Sequence, residues 1–150
     1  MNIHHRPYRG ATSEWQTPPE ILAALGPFDD DPALPGATDG LTRFWHGFIW
    51  LNPPYGPEVG AWLGRLAAHG SGGIALIFAR TETRWFVEFV WSYASALLFL
   101  HGRPHFYRDG KRARGNSGGP LVLVAYGIEA ERRLTKCILP GTLITDWSRP

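Results

Sequence analysis

Apolar side chains recur along this chain in two rhythms. Val59, Trp62, Leu63 and Leu66 fall on one helix face, whereas Gly47 to Leu51 and Ile74 to Phe78 are short apolar runs between breakers, which read as buried strands. Gly70 to Gly73 stop the helix, so strand, helix and strand form a crossover unit with parallel strands. Upstream, Thr17-Pro18-Pro19-Glu20 reads as a helix start, with Thr17 as cap and proline in the first turn, leading into Ile21, Leu22 and Leu25 until Gly26-Pro27. Phe28 to Asp31 is a short extended piece in which Asp29 and Asp31 face the same way, closed by Pro32. Downstream come a helix over about Arg84 to Tyr93, a strand Ala96 to Leu100, a basic loop and a last strand Leu121 to Tyr126, with a hairpin at the end of the sheet. The predicted fold is α/β, a mainly parallel open sheet finished by antiparallel strands, in which ligands sit beyond the carboxyl ends of the strands.

Composition narrows what such a sheet could serve. The 150 residues suit one domain, with residues 1–12 read as a flexible arm, and leave no room for a separate target-recognition domain. Hydrophobic residues make up 44% and charged residues 19%, which excludes a disordered chain. Formal net charge is only +2, yet Arg103, Arg108, Lys111, Arg112 and Arg114 cluster on a glycine-containing segment that suits a phosphate backbone. The single cysteine, Cys137, can form neither an internal disulfide nor a thiol metal site, and fits a reducing cytoplasm. Residues Met1 to Gly10 lack the apolar core of an export signal, and no stretch approaches the length of a membrane span. The expectation is a cytoplasmic protein with no metal and no membrane partner.

Chemistry concentrates at Asn52-Pro53-Pro54-Tyr55, where an apolar strand ends. An adenine amino group is a poor nucleophile because its lone pair is delocalised into the ring. The Asn52 side-chain carbonyl and the Pro53 backbone carbonyl offer two acceptors that could hold the amino hydrogens and aim the lone pair. Pro53 and Pro54 fix the backbone, and Tyr55 gives an aromatic face on which an extruded base can stack. Such a site works by positioning, without a covalent intermediate. The bland alternative is a strand-ending turn, since Asn, Pro and Gly are favoured there.

The surrounding pieces favour the chemical reading. Glu14-Trp15-Gln16-Thr17-Pro18-Pro19-Glu20, Phe28-Asp29-Asp30-Asp31-Pro32-Ala33, Thr38-Asp39-Gly40-Leu41, Trp50-Leu51-Asn52-Pro53-Pro54-Tyr55, Thr83-Arg84-Trp85-Phe86 and Gly102-Arg103-Pro104-His105-Phe106 occur in this order. From Glu14 to Tyr126 the chain resembles the small phage-type DNA N6-adenine methyltransferases. The Asn-Pro-Pro-Tyr element is shared with enzymes acting on RNA and on protein glutamine, and the Trp-x-Thr-Pro opening discriminates better. The resemblance implies a compact Rossmann-like fold, S-adenosylmethionine as cofactor and double-stranded DNA as partner. By it, Trp15, Thr17 and Pro18 line the cofactor pocket, Asp31 binds the ribose hydroxyls and Asp39 lies near the cofactor adenine. An ionised carboxylate at a strand end can accept hydrogen bonds from both hydroxyls of a ribose, although a cap or solvated turn is an ordinary role for such an acid. Arg103, Lys111, Arg112 and Arg114 then become the DNA-phosphate contacts. The chain departs from the methyltransferase pattern in lacking a strand followed by Phe-x-Gly-x-Gly, so either Phe28 to Gly36 does double duty or the pocket is trimmed.

Competing readings are weaker. Gly115-Asn116-Ser117-Gly118-Gly119-Pro120 resembles the nucleophile segment of trypsin-like proteases, and Leu66-Ala67-Ala68-His69 their histidine segment. The chain is too short for that fold, and no acid between them sits on an orienting segment. His101 and His105 would lie about 13 Å apart on extended chain, too far for one metal ion. A DNA-binding relative that has lost turnover is the remaining alternative of another class.

Overall fold

Alternation along the strands decides which side chains meet which helices. A computed structural model describes residues 15–115 and 117–150. The expected arm over 1–12, with Glu14 and Asn116, lies outside the described residues. In chain order the elements are α1 (Pro19–Leu25), β1 (Ile49–Leu51), α2 (Val59–Ala68), β2 (Gly73–Phe78), α3 (Arg84–Phe86) running into a π-helical turn at Val87–Trp91, β3 (Ala96–Leu100), β4 (Tyr107–Arg108), β5 (Lys111–Arg112), β6 (Leu121–Tyr126), α4 (Ile128–Lys136) and β7 (Gly141–Ile144).

In β2, Ile74 and Leu76 point to one face, where Trp50, Leu98, Leu121 and Leu123 join them against Ile21 and Leu25 of α1 and Ala130 and Leu134 of α4. Ala75 and Ile77 point to the other, where Ile49, Leu51, Val122 and Val124 pack on Trp62, Leu63 and Leu66 of α2 and on Phe86 and Val90. The result is a sheet with helices on both faces, in which β1, β2 and β6 are buried on two sides, as their unbroken apolar runs require, while β7 is half-exposed.

The expected mainly parallel, Rossmann-like sheet is not found. The five-stranded sheet has the order β1-β2-β6-β3-β7. Only β1 and β2 pair in parallel, through the α2 crossover that the periodicity predicts. β6 pairs antiparallel with both β2 and β3, and β3 pairs antiparallel with β7. The physical reason is the position of β6. It starts at the edge where β2 ends, runs back between β2 and β3, and bonds to both, so these two like-directed strands never meet. The expected terminal hairpin is a separate two-stranded piece, β4 with β5. Helix α4 and strand β7 were not predicted; α4 buries only Ala130 and Leu134 among charged neighbours, a stripe too thin to read.

Candidate active site at the strand ends

The three consecutive acids reach the site because residues 28–31 run parallel to β1. Asp29 N–H donates to the Phe48 carbonyl at 2.8 Å, Trp50 N–H donates to the Asp30 carbonyl at 3.0 Å, and Asp30 bridges to Ile49. Parallel pairing brings Asp31 and Asn52 out at one sheet edge. Adjacent side chains on an extended piece point apart, and here the three carboxylates have three different neighbours. Asp29 accepts the Phe48 N–H at 2.7 Å. Asp30 accepts two bonds from Arg43, both 2.8 Å, which hold its pKa below the ordinary carboxylate value. Asp31 accepts no side-chain hydrogen bond among the described residues and lines a cavity of about 280 Å³ with Thr17, Leu22, Ala33, Leu34 and Asn52. Burial, and then the Asp30 charge, push its carboxyl up to about 7, with Arg43 pulling the other way.

Asn52 is held by its nitrogen. Its Nδ2 donates to the Trp15 carbonyl at 3.4 Å and to Thr17 Oγ1 at 3.2 Å. A carbonyl can only accept, so the amide NH₂ must face Trp15, and Oδ1 faces away with no hydrogen bond from the described residues. The Pro53 carbonyl likewise accepts none. Thr17 Oγ1 also takes the Trp50 indole N–H at 3.1 Å. The expected cap on α1 is therefore absent: Pro18 occupies the cap position and no side chain caps the helix.

Tyr55 lies against Phe78, ring centroids 4.4 Å apart. This pair lines two further cavities. One, of about 290 Å³, is shared with Trp15, Phe106, Arg114 and Ser117; the other, of about 270 Å³, with Pro53, Val59, Arg80 and Trp85. Burial pushes the Tyr55 hydroxyl up to about 12, so the ring stays neutral.

The basic segment turns at Asp109 (φ 52°) and Gly110 (φ 76°), a two-residue connection with both central residues left-handed, as Asp-Gly favours. Gln16 sews this hairpin to the site: Gln16 and Tyr107 exchange backbone bonds of 2.7 and 3.1 Å, and Gly110 N–H reaches Gln16 Oε1 at 3.4 Å. The Arg108 guanidinium lies 5.4 Å from the Trp15 ring centroid.

The structure thus unites Thr17, Asp31 and Asn52 in one cavity and Trp15, Tyr55 and Arg114 in its neighbour. Lys111 and Arg112 are exposed on the hairpin, and Arg103 lines a separate cavity beside Arg112. Besides Lys111, three expected residues are not among the cavity-lining ones. Pro18 is buried at the start of α1. Pro54 is half-buried, and Asp39 is exposed in a turn where its backbone carbonyl accepts Thr42 and Arg43 N–H at 2.9 Å each. Phe78, Arg80, Phe106 and Gln16 were missed. Phe78 and Arg80 stand at the end of β2, where strand-end logic could have found them; Gln16 has no signal of its own. The protease reading fails on geometry: His69 bonds the Gly47 carbonyl at 2.8 Å, before β1, whereas Ser117 lies at the opposite sheet edge, before β6, and bonds the Gly119 carbonyl at 2.8 Å.

The chain matches no protein-family model, no curated protein and no solved structure. Among the described residues no cluster of three or more His, Cys, Asp or Glu could hold a metal ion, and no helix is long and apolar enough to cross a membrane.

Proposed function

We propose that this protein is an S-adenosylmethionine-dependent methyltransferase acting on the N6 amino group of adenine in double-stranded DNA. One observation carries the reading: Asn52 is anchored through its nitrogen, which leaves its carbonyl oxygen without a donor among the described residues; Asn52 lines the cavity of Asp31, and the next residues, Pro53 and Tyr55, line a cavity walled by aromatic rings. A mixed sheet lends no fold-level support, so the side chains carry it alone.

The cavity beside Asp31 fits the cofactor, because its carboxyl has acceptor capacity for a pair of ribose hydroxyls and no donor among the described residues to satisfy it. Ala33 and Leu34 wall it where a glycine loop is usual. S-adenosylmethionine, when bound, supplies an electrophilic sulfonium methyl group. Asn52 Oδ1 and the Pro53 carbonyl would accept the two amino hydrogens of adenine and aim the nitrogen lone pair; one of those hydrogens leaves as a proton to solvent after transfer. Neutral Tyr55 and Phe78 would stack the extruded base. Lys111, Arg112 and Arg114 would meet phosphates beside the opening.

Labelled methyl transfer from S-adenosylmethionine to adenine-containing DNA tests the reading, with adenine-containing RNA and a glutamine peptide offered alongside. Asn52→Ala should abolish transfer to DNA while leaving the circular dichroism spectrum unchanged. Absence of transfer by the wild type, with DNA still bound, would assign the chain to non-catalytic DNA binding; preference for RNA or peptide would move the substrate.

A further inference from the structure

At the end of β3 lies a further cavity of about 330 Å³, whose lining includes Glu20, His101, Arg103, His105 and Arg112. Neither guanidinium has an ion pair or side-chain hydrogen bond among the described residues, and both side chains are exposed. On extended chain the two histidines would stand apart, but Gly102 at φ 76° turns the backbone and both come to line one cavity. His105 Nδ1–H donates to the Ala113 carbonyl at 3.1 Å, since that carbonyl can only accept, and Nε2 has no hydrogen-bond partner among the described residues. His101 Nε2 meets Thr142 Oγ1 at 2.8 Å.

The hairpin stem is the wall between this cavity and the aromatic one. Phe106 and Ala113 line the Tyr55 side, while their chain neighbours His105 and Arg112 line this side, as the alternation of extended chain sets. Both cavities open at the same sheet edge, at the end of β2 and the end of β3. A strand with one base in the first would carry its backbone across the hairpin to the second.

We propose that His101, Arg103, His105 and Arg112 form a subsite for one backbone phosphate of the strand whose base enters the Tyr55 cavity, an assignment that rests on the methyltransferase reading above. Two arginines facing one cavity suit a phosphate, which each can engage through paired N–H groups. Glu20 is the one carboxylate in the lining and opposes an anion.

The test measures binding of the full chain to a short adenine-containing duplex across a salt series. Arg103→Gln and Arg112→Gln should each weaken binding about 10-fold, and the double variant should be little weaker than either, because both act on the same group. The slope of log K against log salt should fall by about 1 in the double variant, the signature of one phosphate lost. A fall of about 2, meaning two separate contacts, or no fall at all, would overturn the proposal. Glu20→Gln should bind more tightly; weaker binding counts against it. Inorganic phosphate alone should shift the His101 and His105 ring resonances of the wild type and leave the double variant unmoved. If it binds there as tightly as the duplex, the pocket serves a free phosphate and the strand assignment falls. Methyl transfer is followed in parallel. One-phosphate binding without transfer sinks the enzymatic reading and leaves the subsite; transfer with no effect of the variants does the reverse.

Discussion

Asp29, Asp30 and Asp31 are chemically identical and differ only in what surrounds them. Asp31 faces a cavity with no donor from the described chain, and its carboxyl is pushed up to about 7. The unfolded chain titrates near 3.9, so between these values the native state binds more protons and stability falls as pH rises, levelling off above about 7. Asp31→Asn removes that penalty, and thermal or urea unfolding at pH 8 should show a gain of roughly 1–3 kcal/mol, discounted for solvent at the cavity mouth. The same variant should lose S-adenosylmethionine affinity at least tenfold by calorimetry; unchanged affinity would remove Asp31 from the cofactor site. Hydrogen bonds from ribose hydroxyls favour the ionised form. Wild-type cofactor affinity should therefore rise with pH up to about 7 and then flatten, with protons released on binding at pH 6. In the proposed reaction Thr17 would act through Asn52, whose Nδ2 donates to it. Thr17→Val should lower kcat about 10-fold, by freeing the Asn52 amide to rotate, and Thr17→Ser, which keeps the oxygen, should restore most of it.

Two elements hold the site in place. The hairpin β4–β5 is tied through Gln16 to the same short arm, Trp15 to Thr17, that fixes Asn52, so its order bears on substrate contact more than on global stability. Gly110→Ala strains a left-handed position by about 1–2 kcal/mol; DNA affinity should drop several-fold in a titration while cofactor affinity holds. At the C-terminal end of α1, Arg133 ties α4 to its neighbour in the same layer: it donates to the carbonyls of Leu25 and Pro27, pairs with Glu129 at 2.9 Å and lies 4.2 Å from the Phe48 ring centroid. Arg133→Met should cost about 1–2 kcal/mol in chemical denaturation, chiefly by leaving the part-buried Leu25 carbonyl without its donor and removing the guanidinium from the Phe48 ring. Legibility at this scale follows pattern strength. α2, β2, β3 and β6 were read nearly to the residue, since long apolar runs and helical spacing are local signals. Thr17 was misassigned as a cap because its use by Trp50 and Asn52 depends on residues more than 30 positions away.

Across the whole molecule a net charge of +2 gives little general attraction for DNA, so the DNA binding proposed above would have to come from where the positive groups gather. Alanine at Lys111, Arg112 and Arg114 together should lower the log K against log salt slope by about 2–3; an unchanged slope would return the hairpin to solvated surface. The sequence by itself determined the apolar strands, the parallel β1-α2-β2 unit, the Asp-Gly turn and the proline-stiffened strand end at Asn52, because each depends on residues close together in the chain. Only the tertiary structure decided that β6 inserts between β2 and β3, that Asp31 rather than Asp29 or Asp30 keeps a carboxyl with no donor among the described residues, and that His101 and His105 share a cavity. A central strand reads the same whichever strands flank it, and the electrostatics of a carboxyl depends on groups that only folding brings near.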